Sequence, residues 1–123
     1  MKKFKRICRL ILASASLFIT GAQAANFSFT FVNSGVDYST LATKGNDRSF
    51  ATVNVRGTNG YTFKYAVATG QYTGYKTGWK SKQGNGTFDI SYTSKPSRGT
   101  GLRLHGSTSS SSGTSTISGT WTP

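Results

Sequence analysis

Tyr61-Thr62-Phe63-Lys64-Tyr65-Ala66-Val67 decides the fold. Large apolar side chains recur at every second position, and an extended chain throws alternate residues to one face. The same period returns elsewhere. Phe27, Phe29 and Phe31 alternate with Ser28 and Thr30, while Ala51, Val53 and Val55 alternate with Thr52, Asn54 and Arg56. Phe88, Ile90 and Tyr92 alternate with Asp89 and Ser91; Leu102 and Leu104 alternate with Arg103 and His105. Ile117, Gly119 and Trp121 close the series around Ser118 and Thr120. No window from residue 25 onward carries a helical apolar stripe, and good helix formers are scarce there. Six one-faced strands predict an all-β fold, a small antiparallel β-sandwich or open barrel of six to seven strands. Their polar faces are expected to meet solvent, His105 among them.

The punctuation between these runs is that of turns. Asn59-Gly60 predicts a tight hairpin, since both residues tolerate positive φ. Gly84-Asn85-Gly86 plays the same part before the strand at Thr87–Thr93, and Lys95-Pro96-Ser97-Arg98-Gly99 separates the next two strands. Ser107–Gly113 reads as a flexible loop joining the last pair. Asn33–Ser49 is irregular, with a short edge strand expected around Tyr38–Thr43.

Residues 1–24 belong to a different class. Lys2, Lys3, Lys5, Arg6 and Arg9 form a positive front, and Leu10–Thr20 an apolar run of eleven residues. Ala22-Gln23-Ala24 supplies small residues for a signal peptidase, so cleavage between Ala24 and Ala25 is expected. The run is well short of the ~20 apolar residues that span a bilayer. A buried helix would show a polar face here. The reading is a cleaved N-terminal signal helix followed by one exported β-domain, residues 25–123. The one cysteine, Cys8, leaves with the signal, which excludes a disulfide framework and a thiolate metal site. Cys8 precedes the apolar run, whereas a lipid-anchoring cysteine follows it. No sorting motif or anchor follows Trp121, so the expected location is extracellular, secreted or held at the cell wall by charge.

The signal takes five of the fifteen basic residues. Ten remain against three aspartates (Asp37, Asp47 and Asp89) and no glutamate, a net charge of +7 for residues 25–123. A basic excess outside the cell favours anionic partners: wall teichoic acids, anionic lipid head groups, acidic glycans or free nucleic acid. Charge that merely keeps a small domain soluble is the competing reading.

The last forty residues bear a resemblance. Gln83-Gly84-Asn85-Gly86, an aromatic strand ending at Tyr92, Leu102–Leu104, a serine-rich loop and Thr116-Ile117-Ser118-Gly119-Thr120-Trp121 follow one another. With Phe27-Ser28-Phe29-Thr30-Phe31 at the start, this order resembles a family of small exported proteins of Gram-positive bacteria that has no assigned function. The resemblance implies an exported all-β domain without established activity. Some relatives look associated with bacteriocin-type export.

Enzymatic constellations are thin. Paired carboxylates for glycoside hydrolysis would have to come from three aspartates, of which Asp37 and Asp47 sit in turn-like sequence. A triad of His105, Asp89 and one of many serines describes a small secreted hydrolase on paper, but no nucleophile elbow or oxyanion loop accompanies it. One histidine with no cysteine or glutamate cannot furnish a transition-metal site, and the aspartates lack calcium-loop spacing. No catalytic residue, metal or cofactor is implied.

One segment rises above scaffold: Gly70–Gln83, GQYTGYKTGWKSKQ. It reads as three glycine-led tetrads, with Tyr72, Tyr75 and Trp79 interleaved with Lys76, Lys80 and Lys82. Rings stack on sugar or base faces while ammonium groups meet phosphate or carboxylate. These six residues are the candidate ligand site, and Lys64, Arg56 and Arg103 extend it if their strands are neighbours. Alternatively, the rings fold inward as a seventh strand whose lysines guard an edge. The expectation is a non-enzymatic, cationic exported domain that binds an anionic cell-wall polymer or membrane surface, with nucleic acid disfavoured. The alternative is a bacteriocin-like antimicrobial protein.

Overall fold

The computed structural model describes residues 24–58, 61–108 and 114–123. Residues 1–23 of the expected signal segment, the expected Asn59-Gly60 turn and most of the serine loop lie outside them. All regular structure within them is strand: β1 Ala25–Val32, β2 Gly35–Tyr38, β3 Ala42–Thr43, β4 Phe50–Gly57, β5 Thr62–Ala68, β6 Lys80–Gln83, β7 Gly86–Ser91, β8 Gly101–Thr108 and β9 Thr114–Thr122. The six alternating runs each become a strand, and the three additions are short.

The strands form two antiparallel sheets. One runs β1-β9-β4-β7 and the other β2-β8-β5-β6, with β3 also pairing β8. Phe27, Phe29 and Phe31 of the first sheet share one buried cluster with Phe63, Tyr65 and Val67 of the second. Phe31 stacks on Phe63 at 6.0 Å and Tyr65 meets Phe88 at 5.1 Å, both across the gap between sheets. This is a β-sandwich whose core the period-two pattern foretold.

The hairpin reading does not survive. β4 pairs with β7 and β9, while β5 pairs with β6 and β8, so the strands flanking Asn59-Gly60 lie in different sheets. The same holds for β6 and β7 around Gly84-Asn85, for β8 and β9, and for β1 and β2. The members of each of these successive pairs are divided between the two sheets, and among the described residues only the β5–β6 ladder joins strands consecutive in the chain. Positive φ, as at Gly84 (68°), serves a link between sheets as well as a hairpin.

The irregular stretch after β1 holds two short edge pieces, not one. Ser39 separates them yet preserves the join to β8: its N–H donates to Leu104 O, and its Oγ accepts from Leu104 N, both at 2.9 Å.

On the inner face of the second sheet Gly106 stands opposite Tyr65. A Cβ there would lie 2.5 and 2.7 Å from Phe29 ring carbons. The missing side chain lets the aromatic row of β1 settle onto β8.

Candidate functional site

β5 and β8 are the two central strands of the second sheet, and their outer faces carry Lys64, Ala66 and Ala68 beside Ser107, His105 and Arg103. Solvent was expected here. Instead Ala66, Ala68 and His105 are fully buried. The chain leaving β5 turns back over the sheet, and the small alanines leave height for what it brings.

That return is built locally. Thr69 N–H donates to Gly74 O at 3.0 Å and Gly70 N–H to Thr73 O at 3.1 Å. Gly74 has φ +75°, and an added Cβ would collide with Thr69 Oγ1. The segment then rejoins the sandwich. Tyr75 bridges Ala68, and Lys76 N–H donates to Val67 O at 2.8 Å. Buried Thr77 accepts from Val67 N–H at 3.0 Å and donates to Gly78 O at 2.8 Å.

This path sets a ring cluster on the sheet, with His105 at its centre. Tyr75 lies 5.0 Å, Tyr38 5.9 Å and Trp79 6.4 Å from the imidazole centroid, all edge to face. Tyr75 packs on Trp79 at 5.5 Å and Tyr38 on Tyr72 at 5.4 Å. Tyr72 is 67% exposed, Trp79 41% and Tyr75 37%, so rings held from below are open above. Arg103 completes the floor. Its guanidinium lies 5.5 Å from the Tyr38 centroid and donates to Ser39 O at 2.9 Å.

His105 has a defined tautomer. Nε2 lies 2.9 Å from Gly70 O, which can only accept, so Nε2 carries the proton. Nδ1 then accepts from the Tyr75 hydroxyl at 3.1 Å. Burial holds the imidazole below its ordinary range; the Gly70 carbonyl opposes this and the Arg103 charge adds to it. Burial also pushes the Tyr75 hydroxyl up. The exposed-histidine reading is thereby overturned: strand alternation gives the face, not whether another segment covers it.

Not all six candidate residues meet. Tyr72, Tyr75 and Trp79 do. Lys80 and Lys82 stand opposite Tyr65 and Phe63, on the side of the sheet that faces inward. Lys80 Nζ donates to Asp89 O at 2.7 Å and lies 5.9 Å from the Phe88 centroid, while Lys82 Nζ donates to Gln83 O. Lys76 is tied in through its backbone, its carbonyl accepting from Thr93 N–H at 2.9 Å. The tetrads misled because the strand begins at Lys80, and from there successive residues take opposite faces. Lys64 and Arg103 do share the outer face, while Arg56 lies in the other sheet. Sequence reasoning missed Tyr38. Its position beside His105 depends on a non-local pairing of β2 with β8.

The His105–Asp89 constellation does not form. Both imidazole nitrogens are engaged with Tyr75 and Gly70, and Asp89 Oδ1 accepts from Thr52 Oγ1 at 2.7 Å on the outer face of the opposite sheet. Among the described residues no three His, Cys, Asp or Glu side chains converge.

No known protein family, curated protein or solved structure matches this chain.

Proposed function

We propose that the chain is an exported binding domain, not an enzyme, that holds a sugar-containing anionic polymer of the cell envelope against the outer face of its second sheet. One observation carries this. Four aromatic rings, three of them open to solvent, are held on a rigid sheet around a neutral, fully engaged histidine. Flat amphipathic rings offer a stacking surface to sugar faces, and their polar edges stay wet. Lys64 and Arg103 put positive charge on the same face, in keeping with the +7 balance after the signal. Lys80 and Lys82 are assigned to the sandwich edge and not to the ligand.

Trp121 is buried and Trp79 half-exposed, so the fluorescence of Trp79 reports on this face selectively. Titration with solubilised wall polysaccharide should quench or shift it. Trp79→Ala and Tyr72→Ala should each weaken sedimentation with purified cell walls about tenfold, in the range of one lost stacking partner. Lys80→Ala should bind as the unaltered protein does. Equal sedimentation of a Tyr72→Ala, Trp79→Ala double variant would overturn the proposal.

A further inference from the structure

A second cluster lies at the end of the sandwich where residues 44–48 meet residues 92–98. Lys44, just after β3, is fully buried. Its Nζ donates to Asn46 Oδ1 at 3.0 Å and Arg48 O at 2.9 Å, and lies 4.9 Å from the Tyr92 ring centroid. All three partners are uncharged. Backbone bonds clamp the neighbouring loop against it: Lys44 N–H donates to Thr100 O at 2.9 Å and Gly99 N–H to Lys44 O at 2.8 Å.

Acceptors at this end are already in use. Asn46 Oδ1 also takes Arg48 N–H at 2.9 Å, and the Asn46 amide donates to Pro123 O at 3.1 Å. Asp47 Oδ1 takes Arg98 Nε at 3.2 Å, and Asp47 O takes Lys95 Nζ at 3.3 Å. Lys44, Arg48, Lys95 and Arg98 are thus gathered around one side-chain carboxylate among the described residues. Two donors remain buried without an acceptor: Arg48 Nε and the Tyr92 hydroxyl. Buried donors normally find partners, because leaving one unmade is costly. Burial holds the Lys44 ammonium below its usual range, and the charges of Arg48, Lys95 and Arg98 act the same way, opposed by Asp47. Burial likewise pushes the Tyr92 hydroxyl up to about 12, and the Arg48 charge opposes it. Excess positive charge and unspent donors call for the same complement.

We propose that this end of the sandwich is a second binding site, which takes an oxyanion of the phosphate class between Arg48 and Tyr92 under the rim of Lys95 and Arg98. A tetrahedral oxyanion accepts donors arriving from two loops at once, and arginine contacts to phosphate are among the stronger charge-assisted hydrogen bonds. The site uses none of the rings on the outer sheet face, so it stands whether or not that face binds sugar.

The test is thermal unfolding and calorimetric titration of the purified protein with sodium phosphate, with chloride at matched ionic strength, and with acetate. Phosphate should raise the melting temperature saturably, beyond both other salts. Arg48→Met and Tyr92→Phe should each weaken phosphate binding about tenfold, an effect of about 1.4 kcal/mol. Tyr92→Phe removes only a hydroxyl and keeps the ring under Lys44, so it separates binding from folding. Arg56→Ala, at the far end of β4 from Arg48 and outside both proposed sites, should bind phosphate as before. A glycerol phosphodiester arm distinguishes sources: a response to diester and monoester alike points to a polymer backbone, and to the monoester alone points to free phosphate. Equal stabilisation by chloride or acetate, or undiminished binding in both variants, would overturn the proposal.

Discussion

The two faces of the β5–β8 pair are buried by different means. On the inner face Phe63, Tyr65 and Val67 meet Leu102 and Leu104, and the aromatic row of β1 lies against them. On the outer face Ala66, Ala68 and His105 are just as inaccessible, yet the cover is a ten-residue return, residues 70–79, that ends in open rings. The inner face excludes water through sheet-on-sheet contact, which is extensive and cooperative. The outer face excludes it through a single layer pinned by a glycine turn, Thr77 and two hydrogen bonds on one histidine. The first is a core, and the second is a mounted surface.

Substitutions should separate the two. Phe29→Ala removes a fully buried ring from the inner interface and should cost about 4 kcal/mol in urea unfolding, with both sheets lost together. Gly106→Ala forces a methyl against the Phe29 ring and should cost about 3 kcal/mol by the same measurement. On the outer face, Gly74→Ala should cost about 2 kcal/mol, combining a left-handed backbone with the Thr69 collision. Its signature should be local: amide exchange quickens over residues 70–77 while β5 and β8 stay protected. Global loss of protection in Gly74→Ala would show the cover to be part of the core, and the contrast would fail.

Tyr75→Phe is the gentlest probe, leaving Nδ1 of His105 without its donor at a cost of about 1 kcal/mol. Acid tests the same bond from the other side. The folded imidazole titrates below its unfolded value of 6.5, so the unfolded chain takes up its proton first. The stabilising contribution is complete above pH 6.5 and is lost as pH falls through the lowered folded value. Urea midpoints measured from pH 8 to pH 4 should show that decline, and His105→Leu should flatten it. A decline that persists unchanged in His105→Leu would place the acid sensitivity elsewhere.

The inner face was legible because its signal is local. Each of Phe27, Phe63, Phe88 and Ile117 sits in a run whose own alternation points it inward, whichever strand becomes its neighbour. Pairing was not legible. Asn59-Gly60 and Gly84-Asn85 carry turn chemistry that suits a link within a sheet or between two, and the strands that flank each of them lie in different sheets. The candidate site divided along the same line. Tyr72, Tyr75 and Trp79 were recognisable as a group by composition, while the grouping of Lys80 and Lys82 with them required knowing where β6 begins. Tyr38 and His105 could not be joined to the rings without the β2–β8 register. Arg48 and Tyr92 lie 44 residues apart and share a neighbourhood only once β4 and β7 are paired.

By itself, the sequence determined the class and the core: period-two apolar faces with no helical stripe leave an antiparallel all-β chain no other way to bury its aromatics. It also carried the charge balance, since composition does not depend on folding. The tertiary structure alone decided which strands are neighbours, which polar face is covered and which cations converge. Those properties arise from contacts between segments far apart in the chain, and alternation within a segment holds no record of them. His105 is the plainest case. Its own strand assigns it to the outer face, and a return thirty residues earlier in the chain, led by Tyr75, takes that face out of the water.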